Sequence, residues 1–180
     1  MKKYLNQVAF SGAEEFLKKY EGKADDAGII GNFGLGFYSS FMVAEKVEVD
    51  SMSFRENEDA AKWTCDGSPE YNLTKGKRTE RGTTITLHIA KDSEEFLEEN
   101  RLAGILNKYC KFLPVGIKFG TKKEFVDDES GAKDEDGKVK QVEVEVDNII
   151  NNPNPLWKKT PADLSAEDYD SFYRELYPSS

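Results

Sequence analysis

Apolar and polar residues alternate in several short stretches of the chain, and a period of two is typical of strands with one buried face. The clearest stretch is 83–89, in which Ile85, Leu87 and Ile89 point one way and threonines and His88 point the other. We accordingly expect His88 at a solvent-exposed strand position. The other predicted strands are centred on Val47 and Val49 and on residues 63–65, 71–73, 115–119 and 142–146.

Apolar residues recur at steps of three and four in three further regions, which predicts amphipathic helices. They are residues 1–20, with a break at Ser11 and Gly12, a helix from Asp92 that ends before Pro114, and a helix after Ser165. The second helix has a predicted capping box of Asp92 with Glu95, and the third has one of Ser165 with Asp168. The stripe of the third helix has no obvious partner in this chain, so we expect its partner to lie outside it. That stripe consists of Tyr169, Phe172, Tyr173 and Leu176.

The order of these elements predicts an α+β fold, a two-layer sandwich of a mostly antiparallel sheet with helices on one face. From residue 127 to residue 140 the sequence is charged and nearly free of large apolar residues, which is typical of a solvated linker or a long hairpin loop.

The charge and composition exclude several classes of function. Lysine plus arginine number 25 against 34 acidic residues, a net charge of -9, which disfavours binding to nucleic acid or to anionic membranes. No apolar run is long enough to span a membrane, and no secretory signal opens the sequence. A single histidine and two cysteines predict neither a conventional zinc site nor a disulfide framework. We therefore expect no metal site in this chain and a reducing, cytoplasmic location.

A glycine-rich loop at residues 31–37 is the strongest candidate for chemistry. Its spacing is G-x-x-G-x-G, and an apolar, helix-length stretch that we expect to be buried follows it. The loop is neither a P-loop, since no Gly-Lys-Ser or Gly-Lys-Thr follows, nor the dinucleotide fingerprint. Glycines let backbone N–H groups approach an anion, and a following helix would add unpaired donors. A tight turn that packs a helix on a sheet would have the same spacing, so both interpretations stay open at this point.

The residues around the loop extend the pattern. The segment IGNFGLGFYS at 30–39 closely resembles the motif IGQFGVGFYS of the ninety-kilodalton heat-shock chaperones, in the bacterial form of the family. Four more segments are similar to that family in the same order along the chain. They are 9–17 at the start of its lid, 81–83 (RGT) in a late strand, 94–109 in a helix, and 155–173 at the start of its middle domain.

The resemblance implies the ATPase fold shared by gyrase, heat-shock chaperones and histidine kinases, here incomplete at its N-terminus. It implies that residues 1–125 are the C-terminal half of the ATP-binding domain, with the lid, the glycine loop and sheet strands. Residues 126–153 would be a charged linker and a last strand, and residues 154–180 the start of the middle domain. The family's phosphate-binding backbone falls on Asn32, Phe33, Gly34, Leu35, Gly36 and Phe37. Its adenine-binding threonine falls on Thr83, which without the resemblance is an ordinary strand threonine.

The resemblance also implies ATP or ADP with Mg²⁺ as cofactor, unfolded or immature client proteins as partners, and a homodimer as the intact assembly. Three positions depart from the family pattern: Asn32 replaces Gln, Phe10 replaces a frequent Lys, and Tyr4 stands near a frequent Asn. The family's general-base Glu and its D-x-G-x-G segment with the adenine-reading Asp have no counterpart here. No catalytic residue is therefore assigned, and we expect the chain alone to bind ATP weakly or not at all and not to hydrolyse it.

Two alternatives remain. One is another ATPase of the same superfamily, of the histidine-kinase, gyrase or mismatch-repair type, which the P-L-W segment at 155–157 and the linker disfavour. The other is a non-enzymatic interaction module that has kept the sheet and lost the nucleotide chemistry.

Overall fold

The computed structural model describes residues 1, 5, 6, 31, 33–127 and 140–177. Nearly all of the predicted helical region 1–20, and residues 128–139 of the predicted linker, lie outside these residues. Contacts within the chain divide it into two compact units, Met1–Leu102 and Ala103–Ser180. The described residues form helices and antiparallel sheets, as the predicted α+β class requires.

A four-stranded antiparallel sheet forms the first unit. Its strands are β1 (Ala44–Met52), β2 (Ala61–Cys65), β3 (Asn72–Lys75) and β4 (Gly82–Ile89), in the order β3-β2-β1-β4. Each of them contains a stretch that the alternation predicts to be a strand. Strand β4 pairs with β1 although β2 and β3 lie between them in sequence, so β1 is a central strand and β4 an edge strand.

The core lies on one face of this sheet. Val47, Val49, Trp63 and Cys65 are buried, with Val49 opposite Trp63 and Val47 opposite Cys65 in the β1–β2 register. Opposed residues of an antiparallel pair share a face, so these four side chains form one continuous apolar layer. Trp63 is the largest side chain of this layer, and Cys65 is a small packing residue in it.

A short 3₁₀-helix, Gly36–Met42, lies against that core through Phe37 and Phe41. The expectation of a buried helix after the loop is wrong in burial, because none of the seven residues of this helix is fully buried. The apolar stretch continues through Ala44, but the helix does not. Ala44 is already in strand β1, and the Val43 carbonyl accepts a hydrogen bond from the Ala90 N–H at 2.9 Å. The sheet ladder therefore ends the helix early.

The opposite face of the sheet is polar and centres on Glu48. This carboxylate contacts Lys46 at 2.7 Å, Lys62 at 2.5 Å and His88 at 3.3 Å. Hydrogen bonds from Lys46 and then Lys62 lower the pKa of Glu48 from 4.5 to about 2. His88 is partly exposed, as expected, but its Nε2 lies beside the Glu48 carboxylate.

We predict that Glu48 makes the sheet sensitive to acid. Its pKa is lower in the folded state, so its ionised form stabilises the fold above pH 4.5, and this contribution is lost as the pH falls toward 2. The protection factors of the β1 amides, which correct the exchange rates for the intrinsic effect of pH, should fall over this range in the unaltered protein. In Glu48→Gln, these protection factors should already be lower at neutral pH and should change less on acidification. Glu45→Gln, on the same strand but exposed, is the control and should behave as the unaltered protein; identical pH profiles for Glu48→Gln and the unaltered protein would contradict the prediction.

Helix α1 (Glu99–Tyr109) follows a 3₁₀ segment, Lys91–Leu97, and crosses from the first unit into the second. The predicted capping box of Asp92 and Glu95 does not form. The 3₁₀ segment starts after Ala90 without a side-chain cap, and Asp92 instead accepts a hydrogen bond from the Ser93 hydroxyl at 3.1 Å.

The second unit contains an antiparallel pair, β5 (Lys118–Asp127) and β6 (Gln141–Ile149). The strand predicted at 115–119 begins later because the buried Asn151 side chain binds the preceding backbone. Its Nδ2 donates to the carbonyls of Leu113 and Val115 at 3.0 and 2.8 Å, and its Oδ1 accepts from the Ile117 N–H at 2.7 Å. The domain boundaries inferred from the resemblance stay a prediction.

Helix α2 (Ala166–Leu176) follows two 3₁₀ turns, Leu156–Lys158 and Pro161–Asp163. Its predicted capping box is confirmed, since Asp168 N–H donates to Ser165 Oγ at 3.2 Å and Ser165 N–H to Asp168 Oδ2 at 2.9 Å. The expectation that its stripe has no partner in this chain is wrong for Phe172, whereas Tyr169, Tyr173 and Leu176 remain exposed. The Phe172 ring lies 5.7 Å from that of Trp157 and 5.9 Å from that of Phe112, so the helix is packed within the second unit.

Candidate functional site

The glycine loop precedes the 3₁₀-helix and has an open conformation. Gly34 has a φ of 65°, in the left-handed region that glycine adopts without steric cost. Phe33 is 80% exposed and Leu35 is about half exposed. Within the described residues, the N–H groups of Phe33, Gly34 and Leu35 donate to no protein acceptor. Asn32 lies outside the described residues.

The other two glycines of the loop are not required by internal packing. Among the residues that the structure describes, a Cβ placed on Gly31 or on Gly36 would meet no heavy atom within 4 Å. A glycine that serves only a tight helix–sheet contact would have a close neighbour at that point. The space beside Gly31 and Gly36 is instead open, which is the arrangement that close approach of a ligand to the backbone needs.

The loop carries no charge of its own, since every residue from 31 to 44 is uncharged. An anion held here would therefore be bound by backbone N–H dipoles, in the manner of anion-binding nests, and not by lysine or arginine from the loop. Phosphate groups are suitable ligands for such a site because several N–H groups can converge on their oxygens.

The end of the loop is fixed to the sheet. The Phe37 ring makes an edge contact with Trp63 at 5.6 Å, and the Tyr38 N–H donates to the Leu35 carbonyl at 3.1 Å. The Tyr38 hydroxyl donates to the Leu5 carbonyl, also at 3.1 Å. The side chain of Phe37 thus faces the core, and only its backbone can serve a ligand.

Thr83 lies on β4 directly opposite Ser51 of β1. Their hydroxyl oxygens are 2.8 Å apart. Ser51 follows Val47 and Val49 at steps of two, so the hydroxyl pair lies on the same face of the sheet as the core and the 3₁₀-helix. The structure therefore brings Thr83 to the face that carries the glycine loop, although no hydrogen bond among the described residues joins the two.

Sequence reasoning missed Ser51. The alternation that predicts β1 also places Ser51 on the core face, so that signal was available. The register between β1 and β4, which brings Ser51 opposite Thr83, is a long-range pairing that the sequence pattern does not contain.

Between the residues of 33–127 and 140–177, no group of three or more His, Cys, Asp or Glu side chains is arranged to hold a metal ion. The helices of the same ranges include none that is long and apolar enough to cross a membrane. No described residue is thus assigned to Mg²⁺.

Comparison with known proteins gives relatives for the whole chain. It is 55% identical to the chaperone protein HtpG of Bacteroides fragilis over 178 residues, which is 99% of this chain and 24% of that protein. It is 53% identical to HtpG of Porphyromonas gingivalis over 180 residues, which is all of this chain and 24% of that protein. It is 40% identical to HtpG of Sulfurimonas denitrificans over 98% of this chain and 28% of that protein. The family model described as Hsp90 protein matches residues 120–179. The chain belongs to the Hsp90 family. The resemblance inferred from the motifs is thereby confirmed. The chain spans about a quarter of the length of the Bacteroides and Porphyromonas relatives.

Proposed function

We propose that this Hsp90-family chain contributes an ATP-binding site to an ATP-dependent chaperone. The backbone of residues 32–37 holds the phosphate groups, and Thr83 contacts the adenine base. The observation that carries the proposal is the open, uncharged glycine loop on the same face of the sheet as Thr83. A loop that served packing alone would not leave Gly31 and Gly36 without neighbours.

The remaining parts of the proposal rest on family membership and on the names of the relatives, which are chaperones. The protein binds ATP or ADP with Mg²⁺, acts on unfolded or immature client proteins, works as a homodimer and is cytoplasmic. Its fold is the ATPase fold of gyrase, Hsp90 and histidine kinases. Residues 1–125 belong to the nucleotide-binding domain, 126–153 form the linker and a last strand, and 154–180 begin the middle domain.

The described residues suit nucleotide binding better than hydrolysis. Backbone donors and a hydroxyl pair can bind and orient a nucleotide, but no described residue is placed as a general base. Hydrolysis is therefore assigned to no side chain among the described residues.

A client-aggregation assay with ATP tests the proposal. The full-length gene product should slow the heat-induced aggregation of a model client, and ATP should change that protection. Gly36→Ala should keep the fold, because its Cβ meets nothing within 4 Å, and should lose the ATP response, because the methyl group occupies space that the phosphates need. Protection by Gly36→Ala that responds to ATP as in the unaltered protein would contradict the assignment of the loop.

A further inference from the structure

The hydroxyl pair of Ser51 and Thr83 follows apolar pairs along one face of β1 and β4. In the β1–β4 register, Val47 is opposite Leu87, Val49 opposite Ile85 and Ser51 opposite Thr83. Within the described residues, each of the two hydroxyls bonds only to the other, at 2.8 Å. The pair is not sealed in the core, since Thr83 is exposed and Ser51 is partly exposed.

The neighbouring surface suits a flat ligand. Ile85 follows Thr83 on the same face of β4 and is 55% exposed, although its β1 neighbour Val49 is buried. A planar, largely apolar ring system placed over Ile85 would therefore bring its polar edge to the hydroxyl pair. The base of a nucleotide has this combination of an apolar face and a polar edge.

The backbone that carries Thr83 is held in place from the other face. The Arg78 guanidinium donates from Nη1 to Thr84 Oγ1 at 2.5 Å and from Nε to the Glu80 carbonyl at 3.3 Å. These bonds brace the turn that enters β4 at Gly82. With the backbone fixed, the direction of the Thr83 hydroxyl depends on the side-chain rotamer. The hydrogen bond to Ser51 selects one rotamer of Thr83.

The hydroxyl pair has hydrogen-bond donors and acceptors left over for a ligand. Each hydroxyl has one O–H donor and two acceptor lone pairs. One O–H is used within the pair, which leaves one O–H and unused lone pairs for a ligand. A donor beside an acceptor matches an adenine edge, where a ring nitrogen accepts and the exocyclic amino group donates.

We propose that Ser51 is a positioning residue for the base of a bound adenine nucleotide, acting through the hydroxyl of Thr83. Ser51 orients the Thr83 hydroxyl, whereas the glycine loop binds the phosphate groups. This inference rests on the proposed nucleotide-binding function and adds to it a residue that specifies the base.

The test compares two probes, ATP and inorganic tripolyphosphate, by calorimetric titration of the full-length gene product. Ser51→Ala should weaken ATP binding about 3- to 10-fold, the range expected for one neutral hydrogen bond, and leave tripolyphosphate affinity unchanged. Thr83→Val should do the same. The double variant should lose less than the product of the two single losses, because both remove the same interaction. Ser51→Thr keeps the hydroxyl and should keep most of the ATP affinity.

Thr86→Val is the matched control, since Thr86 lies opposite Glu48, on the polar face of the same strand, and should bind both probes normally. Equal losses for ATP and tripolyphosphate in Ser51→Ala, or no loss for either, would overturn the role of Ser51 while leaving the nucleotide site intact. An unaltered protein that binds neither probe would instead refute the proposed function, and the role of Ser51 with it.

Discussion

Replacing Trp63 with alanine should destabilise the four-stranded sheet more than any other single truncation in this chain. Trp63 is 3% exposed, and its ring lies 5.6 Å from that of Phe37 and 6.5 Å from that of Tyr71. Its indole N–H donates to Asn6 Oδ1 at 3.0 Å. Removing a buried tryptophan side chain costs about 3–5 kcal/mol of unfolding free energy, because packing is lost and a cavity remains.

Urea unfolding followed by hydrogen exchange of the β1 and β2 amides measures this loss. Trp157→Ala is the matched control, since Trp157 is 61% exposed and its loss should leave exchange in this sheet unchanged. Trp63→Phe should fall between the alanine variant and the unaltered protein, because it keeps a ring but not the N–H donor. The prediction is wrong if Trp63→Ala exchanges its β1 amides no faster than Trp157→Ala does.

Gly76→Ala should be the second most damaging change, although Gly76 lies in a segment, 75–81, that is rich in charged residues. A Cβ at Gly76 would lie 2.8 Å from the Ala60 Cβ and 2.9 Å from the Ala60 carbonyl carbon, and closer still to Asp50 Oδ1. The Gly76 N–H donates to the Ala60 carbonyl at 2.7 Å, so the two backbones cannot separate freely. Overpacking of this kind costs about 1–3 kcal/mol.

Asp50 adds to the expected effect. Its Oδ2 accepts from the Lys77 N–H at 2.9 Å, while its Oδ1 is buried with no hydrogen-bond partner among the described residues. Pushing this carboxylate aside would break the Lys77 contact. Thermal melts should show a lowered midpoint for Gly76→Ala and an unchanged or raised one for Gly104→Ala. Gly104 is in helix α1 with nothing within 4 Å of a Cβ, and alanine there is favoured by up to about 1 kcal/mol. A Gly76→Ala midpoint equal to that of the unaltered protein would contradict the contact geometry.

The strands of the sheet are the part of the fold that the sequence predicts best. Each of the four contains a predicted stretch, and in β1 the alternation also identifies the buried face, because Val47 and Val49 pack on the core. Capping chemistry predicts the start of α2 equally well, since the Ser165–Asp168 box is local in sequence.

Long-range contacts account for what the sequence does not predict. The pairing of β1 with β4 joins residues thirty or more positions apart, so the Ser51–Thr83 hydroxyl pair is not contained in either strand's pattern. The Asn151 side chain delays strand β5 by binding the backbone at 113–117, and the contact of Phe172 with Phe112 and Trp157 gives α2 a partner in the chain. Each of these depends on tertiary packing, which overrides local preference.

The candidate site also has features that local sequence motifs predict and features that only the folded chain shows. The glycine loop and Thr83 were found from motifs that are local in sequence, and their resemblance to the Hsp90 family gave each a role. The available space beside Gly31 and Gly36, the left-handed conformation of Gly34 and the orientation of Phe37 toward Trp63 are properties of the folded chain.

Titration of the full-length gene product with Mg-ADP, in parallel with Gly36→Ala, tests the central claim most directly, since the claim is that residues 32–37 and 83 bind a nucleotide. We predict saturable binding by the unaltered protein and a raised melting midpoint, because a ligand that binds only the folded state stabilises it by mass action. Gly36→Ala should melt at the same temperature as the unaltered protein without nucleotide and should show no rise with it. An unaltered protein whose midpoint does not move at saturating Mg-ADP, or a Gly36→Ala variant whose midpoint rises equally, would show that the loop does not bind nucleotide.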